Sequence, residues 1–117
     1  MLKRKVLRMK NKYFSYLGMA MRAGKVVSGE DNVYKAVRKG EAKLVCLAED
    51  ASDNTAKKFQ DKCRFYNVPF IQYGSREQLG HSIGKTERVV MAVTEQGLAQ
   101  MIKKVKSQPF GGERGYE

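Results

Sequence analysis

The chain has 117 residues, 42% of them hydrophobic, enough for one core of common domain size and too many for disorder throughout. No apolar run approaches the ~20 residues that a membrane span needs, and none follows the basic opening residues as a secretory signal requires. Net charge is +11, with six basic and no acidic residues in 1–12, 15 basic and 10 acidic in 13–104, and two of each in 105–117; this favours a polyanionic partner, though charge alone does not separate RNA, DNA and an acidic membrane.

In chain order, residues 1–11 read as a basic N-terminal arm. Phe14, Leu17, Gly18 and Met21 recur at helical spacing and predict a helix over 12–23, which Gly24 stops. Lys25 to Val27 forms a short strand candidate. Ser28 and Asp31 have the spacing of a capping signal, and a helix burying Val33, Ala36 and Val37 follows to Lys39, ended by Gly40. Leu44 to Ala48 is a continuous apolar run, the pattern of a strand covered on both faces. After a polar turn at 49–54, a helix to about Tyr66 places Ala56, Phe59 and Cys63 on one face. Pro69 to Tyr73 is the next strand. Ser75 caps a short helix with Gln78 three residues on, and Val89 to Val93 is the last buried strand. The final helix begins near Thr94 and buries Leu98, Met101, Ile102 and Val105. Residues 106–117, rich in glycine, read as a flexible tail. The alternation of helices and buried strands predicts a single α/β domain over 12–105, with helices on both faces of a largely parallel or mixed sheet.

Catalytic signatures are missing. Gly18 to Lys25 superficially resembles a phosphate loop, but five residues separate its glycines and Val26 stands where a hydroxyl must reach magnesium. There is no dinucleotide fingerprint and no nucleophile elbow. His81 is the sole histidine, and a solvated or capping role is expected for it. Glu49 and Asp50 sit at a strand end, where Asp50 fits a helix-entry cap better than a metal ligand. Cys46 and Cys63 are expected to be buried free thiols in a reducing compartment, too few for a zinc site. Lys25 to Lys39 is the more informative segment. Its glycine-containing turn opens a helix whose free N–H groups suit phosphate oxygens, with Asp31 and Asn32 able to read base edges and Lys35, Arg38 and Lys39 adding phosphate attraction. The same residues also fit an ordinary amphipathic helix with a capped start.

Three segments together carry a resemblance: KVVSGEDNVYKAVRKGEAK at 25–43, LVCLAEDAS at 44–52 and NVPFIQYGSREQLGHSIGK at 67–85. Over about residues 13–105 the chain resembles the kink-turn RNA-binding superfamily of ribosomal proteins, the L-seven-Ae and L-thirty-e group, in its bacterial YlxQ-type branch. The resemblance implies a three-layer α/β/α sandwich with a mixed central sheet. It also implies binding to structured RNA with a kink-turn-like bend, ribosomal or other non-coding; with the missing catalytic motifs and the free thiols, the expectation is a cytoplasmic, monomeric, non-catalytic protein without cofactor or metal. In the family a Gly-x-Asn-Glu segment enters the groove at tandem sheared guanine–adenine pairs. Gly29 matches that glycine, Asp31 stands at the asparagine, Asn32 at the glutamate, and Lys35 matches a lysine one turn later. Ionised Asp31 accepts where asparagine also donates, so the hydrogen-bond set differs. The family's second contact, before the last strand, corresponds here to Ile83, Gly84, Lys85 and Arg88. Of these only Ile83 is apolar, and Arg88 suits a phosphate or a stacked base. Lys25, Arg38 and Lys43 complete the expected phosphate contacts. Two rival readings are a protein-interaction module of the ribosome or transcription machinery, and the recognition half of an RNA-modifying enzyme.

Overall fold

The computed structural model describes the backbone of residues 2–107 and the side chains of residues 12–105. Nine elements follow in order: α1 (Leu2–Arg22), β1 (Val26–Ser28), α2 (Glu30–Arg38), β2 (Leu44–Leu47), α3 (Asp53–Tyr66), β3 (Phe70–Gln72), α4 (Arg76–Ser82), β4 (Val90–Val93) and α5 (Gln96–Ser107). The first helix starts ten residues earlier than its periodicity predicts. Leu, Lys, Arg and Met are good helix formers, and neither glycine nor proline interrupts residues 2–17. Most of the basic N-terminal segment is therefore helical backbone. Lys106 and Ser107 close α5, and the rest of the expected tail lies outside the described residues.

The four strands form one mixed sheet in the order β1-β4-β2-β3. β4 lies antiparallel to both β1 and β2, whereas β2 and β3 run parallel. Alternation along the two central strands sends side chains to opposite faces. Leu44, Cys46, Met91 and Val93 pack with Tyr13, Leu17, Leu79, Ala99 and Ile102 of α1, α4 and α5. Val45, Leu47, Val90 and Ala92 pack with Val33, Ala36, Val37, Phe59 and Cys63 of α2 and α3. The result is the three-layer α/β/α sandwich, and both central strands are buried throughout, which is why they read as unbroken apolar runs.

Both cysteines are buried and free. Burial pushes the Cys46 thiol up to about 12 and the Cys63 thiol up to about 11, so both are neutral fillers of the two cores. The capping signal at Ser75 is present in full: its hydroxyl accepts from the Gln78 N–H at 3.1 Å, and the Gln78 side chain accepts from the Ser75 N–H at 2.9 Å. In α3 the cap is Ser52, which accepts from the Thr55 N–H at 3.2 Å. Asp50 is therefore not the cap of its own helix.

Candidate functional site

The expected cap at the start of α2 is absent. Ser28 ends β1, and Gly29 occupies the cap position with no side-chain hydrogen bond to the helix. Gly29 has φ +95° and ψ 148°, a conformation essentially confined to glycine. Its N–H donates to the Val90 carbonyl at 3.1 Å and its carbonyl accepts from Val33 at 3.0 Å. The backbone thus turns sharply off the sheet edge into a helix whose first N–H groups have no side-chain cap, the arrangement that favours an anion.

Glu30, Asp31 and Asn32 are exposed on that first turn. Asn32 donates from its amide to the Ser28 carbonyl at 3.1 Å, which leaves its oxygen and one N–H outward. Asp31 has no side-chain partner among the described residues. Lys35 is exposed one turn along, and Arg38 sits in the last turn with its guanidinium 5.1 Å from the Tyr34 ring centroid.

The second expected segment folds against the first. Arg88 donates from Nε to the Ser28 hydroxyl at 3.2 Å and from a terminal nitrogen to the Glu87 carbonyl at 2.7 Å. Residues 60 positions apart in the chain therefore meet beside Gly29, and the half-buried Arg88 is a strut as much as a contact residue. Gly84 and Lys85 are exposed. Ile83 is not: it is 5% exposed, caps α4 and packs into the core. An apolar side chain at a helix end finds the core closer than solvent, so the apolar contact expected of Ile83 is not on the surface.

Lys25 and Lys43 lie elsewhere. The Lys25 carbonyl accepts from Thr94, and the Lys43 N–H donates to Val93. Both stand at the far end of β4 from Gly29, roughly 13 Å away along the strand direction for Lys25 at ~3.3 Å per residue. The Lys43 ammonium is also turned back onto the Gly40 carbonyl at 3.0 Å.

Four residues outside the expected set, Arg76, Asp50, Glu87 and Gly80, support the site. Arg76, the first residue of α4, donates its N–H to Asp50 at 3.0 Å and its guanidinium to the Asp50 carbonyl at 2.6 Å, and lies 3.9 Å from Glu87. The Arg76 carbonyl in turn accepts from the Arg88 N–H at 3.0 Å. Gly80 lets the loop lie directly on α4, since a β-carbon there would stand 2.5 Å from the Glu87 α-carbon. Two of them carried a hint in the sequence, Gly80 as a glycine inside a short helix and Asp50 as an acid at a strand end. No group of three or more His, Cys, Asp or Glu side chains that could hold a metal occurs among the described residues. His81 is exposed. No described helix is long and apolar enough to cross a membrane.

A profile of the ribosomal protein L7Ae/L30e/S12e/Gadd45 family matches residues 11–103. The chain is 59% identical over 90 residues to RNA-binding protein YlxQ of Bacillus subtilis (strain 168), covering 77% of this chain and 90% of that protein. It is 38% identical over 96 residues to RNA-binding protein YlxQ of Enterococcus faecium, covering 82% and 92%. A solved structure, described as that of a protein with unknown function from Bacillus halodurans C, superposes with a TM-score of 0.79 at 42% identity, covering 80% of this chain and 95% of that one. With all four strands and at least part of every helix inside the matched region, the chain belongs to the ribosomal protein L7Ae/L30e/S12e/Gadd45 family.

Proposed function

We propose that this protein binds structured RNA without catalysis and stabilises a kink-turn-like bend in ribosomal or other non-coding RNA. The observation that carries the reading is the junction of two distant segments: Arg88 is bonded to Ser28 beside the uncapped start of α2. That junction sets Arg88 beside Gly29 at the start of the helix that carries Asp31, Asn32 and Lys35, with the exposed Gly84 and Lys85 earlier in the same loop. The two YlxQ relatives, each named an RNA-binding protein, support the same class of ligand.

The physical roles follow from the geometry. Gly29 brings backbone to the surface with no side chain, so a groove edge can approach closely. The free N–H groups of α2 and the Lys35 ammonium meet phosphate oxygens. Asp31 and the outward half of Asn32 read base edges, Asp31 as acceptor and Asn32 as both. Lys85 and the unused N–H groups of Arg88 hold the strand on the other side of the bend. Contacts on both sides of a bend exist only in the bent conformer, so binding shifts the RNA population toward it. Lys25 and Lys43, at the other end of the sheet, add at most a diffuse attraction.

The test is a fluorescence titration of a kink-turn RNA, labelled at both ends, against a straight duplex of equal length. Tighter binding to the kink-turn by about tenfold or more, about 1.4 kcal/mol, with shortening of the end-to-end distance on saturation, is expected. Equal affinity for the two RNAs without bending would contradict the reading.

A further inference from the structure

On the flank of α2 turned toward α3, three cations gather round one aromatic ring. Arg38, Lys58 and Lys62 stand 5.1, 5.6 and 5.4 Å from the Tyr34 ring centroid. No two of these charges are then more than about 11 Å apart, comparable to the ~8–10 Å over which salt screens them. Their fields overlap in one positive patch. Two carboxylates lie close: Glu30 is 3.9 Å from Lys58, and Asp61 is shared by Lys57 at 3.6 Å and Arg64 at 3.7 Å. Lys62 and Arg38 have no carboxylate partner in any described ion pair. Beyond Lys62 the same face of α3 ends in Phe65, 78% exposed, edge-on to Tyr66 at 4.9 Å. Lys58, Lys62 and Phe65 are spaced i, i+4 and i+7, so they form one stripe, about 10 Å long at ~1.5 Å per residue.

Cations followed by an exposed ring along one stripe match the needs of single-stranded RNA, whose phosphates take the charges while an unpaired base takes the ring. A regular duplex, with its bases stacked inward, has no use for Phe65. The stripe starts beside Glu30, on the first turn of α2, and runs away from Gly29 on the other flank of that helix. We infer that the Tyr34–Lys62–Phe65 face of α2 and α3 is a second RNA site, which holds a single-stranded extension of the RNA seated at Gly29. This inference rests on the RNA-binding reading above, but uses different residues.

The test uses the full chain and two RNAs, a bare kink-turn duplex and the same duplex with a single-stranded tail of about ten nucleotides. The parent should bind the tailed RNA several-fold more tightly. Lys62→Gln combined with Phe65→Ser should abolish that advantage, leave the bare duplex bound as before, and reduce the salt slope on tailed RNA by about 0.7. Both side chains lie outside the core, and the variant's thermal unfolding verifies its fold. Lys58→Gln is a weaker probe, because it also frees Glu30. Equal parent affinities for the two RNAs, or a double variant that keeps the advantage, would overturn the second site and leave the exposed aromatic pair as a protein contact. Loss of bare-duplex binding in the double variant would overturn it too, by making this face part of the first site. If the parent binds the tailed RNA but not the bare kink-turn, the kink-turn reading fails and the Lys62–Phe65 face is overturned as an extension of the first site.

Discussion

Gly29 combines two demands in one residue. Its φ of +95° is open to glycine and strained for any other residue, and a β-carbon built there meets no atom within 4 Å. Gly29→Val would therefore cost stability through backbone strain alone, about 1–3 kcal/mol, while its side chain projects into the space assigned to RNA. Circular dichroism should show a folded but less stable protein, and titration should show kink-turn binding severely weakened. Unchanged affinity in the folded variant would remove Gly29 from the interface. Asp31 makes the opposite case. It has no side-chain partner to lose among the described residues, so Asp31→Asn removes a negative charge near phosphates and restores a donor, at the cost of a first-turn carboxylate worth about 0.3–1 kcal/mol of stability. Kink-turn affinity should rise by about 1–2 kcal/mol if one hydrogen bond to a charged group is gained; a fall would mean that the carboxylate itself is used. Gly29, Asp31, Asn32 and Lys35 could be proposed together from sequence because they fall within the first two turns of one helix. Arg88 could be proposed from sequence as a contact residue, but its strut role could not be read there, since its bond to Ser28 spans 60 positions and no local pattern announces it.

Among elements, the short helix α4 governs where the second loop sits. The Lys85 N–H donates to the Gly80 carbonyl at 2.8 Å, and the backbone of Thr86 and Glu87 lies against the bare Gly80 α-carbon. Gly80→Ala must push that backbone away, at a cost typical of overpacking, about 1–3 kcal/mol. The loop would carry Lys85 and Arg88 with it, so kink-turn affinity should drop by about tenfold although neither residue has changed. Retained affinity would show that the loop is not held by this contact. Local signals located α4 well, because the capping box is a pattern of four residues. They missed the uncapped start of α2, where Ser28 belongs to the sheet and its hydroxyl is taken by Arg88. They also placed Ile83 at the surface, because a loop position says nothing about which side the core lies on. The helix-forming residues ahead of Lys12 were passed over in favour of their charge, which hid the length of α1.

For the molecule as a whole, the alternation of apolar runs and helical periodicities was enough to predict a layered α/β/α fold, and the sheet order required three-dimensional structure. The two thiols report on both layers at once, Cys46 on the α1, α4 and α5 side and Cys63 on the α2 and α3 side. Burial raises both above the ordinary thiol value of 9.0. Below the unfolded-state value both states hold their protons and no penalty arises. Above it the unfolded chain ionises while the folded one does not, so stability should fall as pH rises from about 9 toward about 11 and 12. Urea unfolding across that range should show a shallower fall for the double variant Cys46→Ala, Cys63→Ala, despite its lower stability at neutral pH. An equal slope would mean that the thiols do not drive the alkaline loss.

In the proposed function RNA is held at the one end of the sheet where β1 turns into α2 and Arg88 meets it. The most direct measurement is an amide chemical-shift map of the protein, recorded as a kink-turn RNA is added. The largest changes should fall on Gly29 to Lys35 and Gly84 to Arg88, with Lys25 and Lys43 at the far end of β4 little affected. A map centred on Lys25, Lys43 and Thr94, with the Gly29 and Arg88 signals unmoved, would contradict the account.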